Sequence, residues 1–117
     1  METEPSTTRT NLRLLTRVHF RDAQGADREC FANIIELGLH TGRIEAARPL
    51  DKGCRVTLQV VFPGQRQYEN RHVKLHYLVC GAYDDENLQY DLEAIEMESE
   101  SRERLALFLN RDPGGGS

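Results

Sequence analysis

The sequence predicts an all-β chain with a C-terminal helix, arranged as a six-stranded antiparallel barrel. Three observations carry the prediction. Apolar and polar residues alternate with a period of two in one stretch after another, the pattern of strands with one buried face. Turn-forming residues interrupt these stretches at short intervals, as in closed or nearly closed antiparallel sheets. The period then changes once, close to residue 100, to that of an amphipathic helix.

The first alternating stretch sets Leu12, Leu14, Thr16, Val18 and Phe20 on one face and Arg13, Leu15, Arg17 and His19 on the other. Asp22 to Gly25 reads as the turn after it. Cys30 to Ile35 is a short second strand, and Leu39 to Ala47 a third. Pro49 to Gly53 is a turn in which Gly53 is placed for a positive φ. Val56, Leu58, Val60 and Phe62 face inward from a fourth strand that Pro63 and Gly64 terminate. Val73, Leu75, Tyr77 and Val79 form a fifth, ended by Gly81. After a turn at Asp84 to Asn87, Leu88, Tyr90, Leu92 and Ala94 are the inward face of the sixth. Ser99 or Ser101 then caps a helix that sets Leu105, Phe108 and Leu109 on one side, a lid for an open barrel end. Residues 1–8 are expected to be a flexible N-terminus, 9–110 the barrel with its helix, and 111–117, ending Pro-Gly-Gly-Gly-Ser, a disordered tail.

A chain of 117 residues is one domain. No apolar run approaches the roughly 20 residues of a membrane helix, and the polar start lacks a secretory signal, so a cytoplasmic protein is expected. The net charge of -4 disfavours a nucleic-acid polymer as partner. The charge is unevenly spread. Residues 5–21 hold Arg9, Arg13, Arg17 and Arg21 and no acid, whereas nine acids fall between Asp84 and Glu103. The first segment suits a small anion and the second a solvated or partner-facing surface.

The arginines and a later Asn and Gly carry a resemblance. R-x-x-x-R occurs at Arg9/Arg13 and again at Arg13/Arg17, and Asn33-Ile34-Ile35-Glu36-Leu37-Gly38 follows. The order resembles the PilZ family of bacterial cyclic di-GMP receptors, whose signature is R-x-x-x-R and then [D/N]-x-S-x-x-G. Arg48-Pro49-Leu50-Asp51-Lys52-Gly53 is similar to a turn typical of the family. The likeness spans roughly residues 9 to 110 and implies a PilZ-like barrel that performs no catalysis.

By that resemblance, two of Arg9, Arg13 and Arg17 grip phosphate and stack on guanine, a task for which guanidinium offers both a fork and a flat face. Arg9 and Arg13 are the favoured pair, with Arg17 also a candidate. Asn33 matches the residue that bonds a guanine edge, and Gly38 the glycine of a tight turn. Ile35 stands where the family has Ser, and it offers no donor or acceptor. The lost hydrogen bond costs about 1–3 kcal/mol, roughly ten- to hundredfold in affinity. The same arginines also fit a solvated strand edge, and Asn33 with Gly38 an ordinary turn.

Other constellations carry less. Cys30, Cys54 and Cys80 are expected to be buried free thiols. His72 and His76 lie on a strand, about 13 Å apart, too far to share one metal ion. No nucleotide-binding glycine loop, G-x-S-x-G or H-E-x-x-H occurs, so no enzyme and no cofactor are expected. The resemblance implies a small receptor or adaptor in cyclic di-GMP signalling, controlling motility, pili or exopolysaccharide. The alternative is a degenerate PilZ-like adaptor that binds a protein partner, as yet unidentified, and no nucleotide.

Overall fold

The computed structural model describes residues 12–62 and 72–110. Arg9, the two terminal segments and the Pro63-Gly64 strand end lie outside them. Six strands form a closed antiparallel barrel: β1 (Leu14–Arg21), β2 (Asp27–Leu37), β3 (Thr41–Ala46), β4 (Arg55–Val60), β5 (Val73–Asp84) and β6 (Gln89–Ala94). Around the barrel the order is β1-β2-β3-β6-β5-β4, and β4 returns to pair with β1 through Arg17↔Gln59 to Phe20↔Val56. One helix, α1 (Ser99–Asn110), follows.

Alternation places the core as expected. Val18, Ile34, Ile44, Leu58, Leu75 and Leu92 are fully or almost fully buried, one from each strand. Leu105, Phe108 and Leu109 of α1 join the same core, and the Phe108 ring stacks on Phe62 at 4.7 Å. Phe62 lies two residues past β4, so the helix plugs the barrel where β4 ends and β5 begins.

The turns are built by local hydrogen bonds. Asp22 Oδ1 accepts from the Gln24 and Ala26 amides, its Oδ2 accepts from Arg28 Nε at 2.8 Å, and Gly25 supplies a φ of 83°. The Arg28 hydrogen bond, aided by the Ala26 amide, holds the Asp22 carboxyl below its usual pKa. Gly53 has the positive φ expected of it, 86°, and its amide donates to the Val79 carbonyl at 2.7 Å. The β3–β4 connection is thereby anchored to β5.

Several local expectations change. β2 runs eleven residues, Asp27–Leu37, and not the six of Cys30 to Ile35, so Glu36 and Leu37 are also strand and the Asn33-to-Gly38 stretch turns only after Leu37. Its pairing with β1 and β3 on either side outweighs the turn preference of Asn. The third strand is shorter than expected, Thr41–Ala46, because Gly38 closes a turn by donating to the Thr41 carbonyl at 2.9 Å. Leu88 sits in the β5–β6 turn with a φ of 56° and not on the β6 ladder. Glu98 starts the helix, its carbonyl accepting from the Arg102 amide, while Ser101 is buried a turn inside. The three thiols are free, but Cys30 alone is buried. Cys80 is exposed because Val79 faces inward and alternation along β5 turns the next residue out.

Tyr77 is wholly buried on the inward face of β5, and its hydroxyl has no hydrogen-bond partner. Burial pushes its pKa well above the usual value near 10. Above that pH the unfolded chain ionises while the folded chain does not, so this residue makes stability fall as alkalinity rises. Tyr77→Phe is therefore expected to leave neutral-pH stability unchanged or higher and to flatten the alkaline decline, read by urea denaturation at a series of pH values. Phe108→Ala removes the stacked ring from the plug and is expected to cost about 3–5 kcal/mol in the same measurement.

Candidate functional site

Strand alternation sends Arg13, Leu15 and Arg17 to the outside of the barrel, and the register lines up their neighbours. Leu15 opposes Asn33, Asn33 opposes Glu45, and Glu45 opposes Gln89, an outward row across four strands. At one end of this row lies a cleft of about 260 Å³ lined by Leu12, Arg13, Ile35, Glu45 and Gln89.

Ile35 reaches the cleft because of a bulge. The β2–β3 register passes from Ile34↔Ile44 to Glu36↔Arg43 and leaves Ile35 as the extra residue. The chain before β1 is zipped to it, since the Leu12 amide donates to the Ile35 carbonyl at 2.8 Å. That bond sets Arg13 beside the bulge.

The sequence-predicted residues separate on this frame. Arg13 lines the cleft; Asn33 opposes Glu45 in the β2–β3 register but is not one of the residues lining it. Arg17 stands four residues along β1, about 13 Å from Arg13. There it pairs with Glu29 at 2.9 Å and lies 5.6 Å from the Phe31 ring centre. Gly38 lies past the end of β2, in the turn to Thr41.

Glu45 and Gln89 were not foreseen. They come from β3 and β6, and only the barrel register brings them beside Arg13. Among the described residues the cleft thus holds one guanidinium, one carboxylate, one carboxamide and two apolar side chains. Such a set can grip one anionic group and the edge of a planar polar ring. A dianion requires further positive charge against Glu45. Among the described residues, no group of three His, Cys, Asp or Glu side chains is placed to hold a metal ion.

Glu36, next to the bulge, does not add its charge to the cleft. Arg43 takes it up: Nη1 donates to Glu36 at 3.4 Å, Nε donates to Asp91 at 2.8 Å, and the guanidinium covers the Tyr83 ring at 3.5 Å. Tyr83 is itself the extra residue of a second β5–β6 bulge, between Ala82 and Asp84. The group pins β2, β3, β5 and β6 together just outside the cleft. Arg43→Ala leaves two carboxylates facing each other and is expected to cost about 1–3 kcal/mol in urea denaturation, with the deficit growing smaller at high salt.

No protein-family model matches the chain, and no curated protein matches it. Among solved structures the chain is similar to the Inhibitor of motility (MotI/DgrA) of Bacillus subtilis, at a TM-score of 0.64 and 11% sequence identity. The match covers 100% of this chain and 54% of that protein, so this chain spans about half of its length. At that identity the two share a fold.

Proposed function

We propose that this chain is a PilZ-like receptor and adaptor for cyclic di-GMP in bacterial second-messenger signalling, with motility as the favoured output. One observation carries the reading: Arg13, from the R-x-x-x-R element, and the bulged Ile35, from the Asn33-to-Gly38 element, line one cleft. The fold shared with an inhibitor of motility supports the choice of output.

In this reading Arg9 and Arg13 take the phosphates and stack on guanine, and Asn33 bonds a base edge. Gly38 shapes the chain beyond the bulge, while Arg17 stays with Glu29. Ligand binding orders the arginine segment on the barrel and alters the surface shown to a protein partner. The protein acts in the cytoplasm and performs no chemistry.

A second reading has its own support. Ile35 and Glu45 both work against a phosphate ligand, one by offering no hydrogen bond and the other by its charge. The domain is then a nucleotide-blind adaptor working through protein contacts alone.

Calorimetric titration with cyclic di-GMP, with GTP as control, separates the two. The receptor gives saturable heat that Arg13→Ala abolishes and that Ile35→Ser or Glu45→Gln strengthens, Ile35→Ser by roughly ten- to hundredfold. Absence of heat in the parent and in both strengthened variants rejects the receptor and leaves the adaptor.

A further inference from the structure

The two ends of the barrel differ. α1 fills the end where β4 leads toward β5. β1 and β4 are antiparallel, with Phe20 opposite Val56, so the last residues of β1 stand at the other end. A cavity of about 540 Å³ opens there, lined by Phe20, Asp22, Arg28, Arg48 and Pro49. Phe20 opposes Arg28 across β1 and β2, and each lies two residues outward from a core residue, Val18 and Cys30 respectively. Alternation therefore carries the inward faces of both strands out of the apolar core and into this mouth. An arginine stands where the apolar row of β2 would continue.

The charges in the mouth are unequal. Asp22 is occupied three times over, because Oδ1 accepts from the Gln24 and Ala26 amides and Oδ2 from Arg28 Nε. Arg28 gives Nε to that bond, its side chain is half exposed, and its two Nη groups are the remaining donors. Arg48 is exposed and pairs with no described carboxylate. The segment that carries it is fixed on both sides. The Ala47 amide donates to the Phe31 carbonyl at 3.0 Å, and the Leu50 amide to the Tyr90 hydroxyl at 3.1 Å. Burial raises the Cys30 pKa, and the Ala47 amide and the Arg48 charge oppose that rise, which sets the charge against the same end of β2. Among the described residues the mouth holds two guanidiniums and one occupied carboxylate, whereas the Arg13 cleft holds one of each.

We propose that the open barrel mouth binds a phosphate monoester that carries an aromatic ring. Arg28 and Arg48 hold the phosphate, whose oxygens accept from both guanidinium forks. Phe20 and Pro49 give the wall beside them a flat apolar surface for the ring. Phe20 lies seven residues from Arg13, about 23 Å along β1, so this site is separate from the Arg13 cleft and does not rest on the receptor reading.

Phenyl phosphate, titrated into the full chain up to about 10 mM and followed by two-dimensional amide NMR, tests the site. Saturable shifts are expected at Asp22, Arg28, Ala47 and Arg48. Arg48→Ala, which breaks no described ion pair, weakens binding about tenfold or more, and Arg28→Ala does the same. Lys74→Ala, on the outward face of β5, leaves it unchanged. Phenol and inorganic phosphate each bind about tenfold more weakly or less. Melting curves establish that each variant is folded. If Arg28→Ala melts early, Arg28→Lys replaces it, keeping a charge for Asp22 while losing the fork. Absence of saturable shifts overturns the proposal. So does unchanged affinity in Arg48→Ala, equal weakening by Lys74→Ala, equal affinity for inorganic phosphate, or shifts centred instead on Leu12, Ile35 and Glu45.

Discussion

The pairing of β4 with β1 turns a six-stranded sheet into a barrel, and the rest of the molecule depends on that closure. An open sheet of this size would expose two rows of unpaired amides and carbonyls. Closure removes both edges and gives every strand one inward and one outward face. The inward faces meet as a single core of aliphatic residues, and α1 fills the end that the strands leave open. The outward faces become continuous rows around the barrel, so residues distant in sequence are neighbours by register alone.

The candidate cleft is one product of those rows. Arg13 comes from the approach to β1, Ile35 from a bulge in β2, Glu45 from β3 and Gln89 from β6. Its electrostatics are finely balanced, because Glu45 opposes the one described arginine while Arg43 neutralises Glu36 nearby. One carboxylate, Glu36, is held in the Arg43 group, and another, Glu45, lines the cleft. The same balance recurs on the neighbouring face, where Arg17 is already committed to Glu29.

Much of this was legible in the sequence, for physical reasons. Period-two alternation marked the inward sets of the first, fourth, fifth and sixth strands, since burial selects side chains one by one along a strand. Gly53 announced its own φ, and Leu105, Phe108 and Leu109 announced the buried side of the helix. Bulges were not legible: an extra residue at Ile35, Cys80 or Tyr83 leaves no compositional trace. Cys80 was expected inside for its apolar neighbours, although with Val79 inward alternation alone turns it outward. Register was equally hidden, and with it the arrival of Glu45 and Gln89 in the cleft. Arg13 and Arg17 looked equivalent as a repeated motif, yet only their cross-strand neighbours, Ile35 for one and Phe31 with Glu29 for the other, tell them apart.

The bulge at Ile35 also bears on how this chain tolerates changes in length. In a regular strand, losing one residue reverses the facing of everything beyond it and turns the core outward. Here Ile34 faces inward, Ile35 and Glu36 both lie outside the core, and Leu37 faces inward again. Excision of Ile35 would restore perfect alternation and leave Ile34 and Leu37 where they are. The bulge beside Arg13 is thus a place in β2 where a codon can be lost while the core keeps its frame.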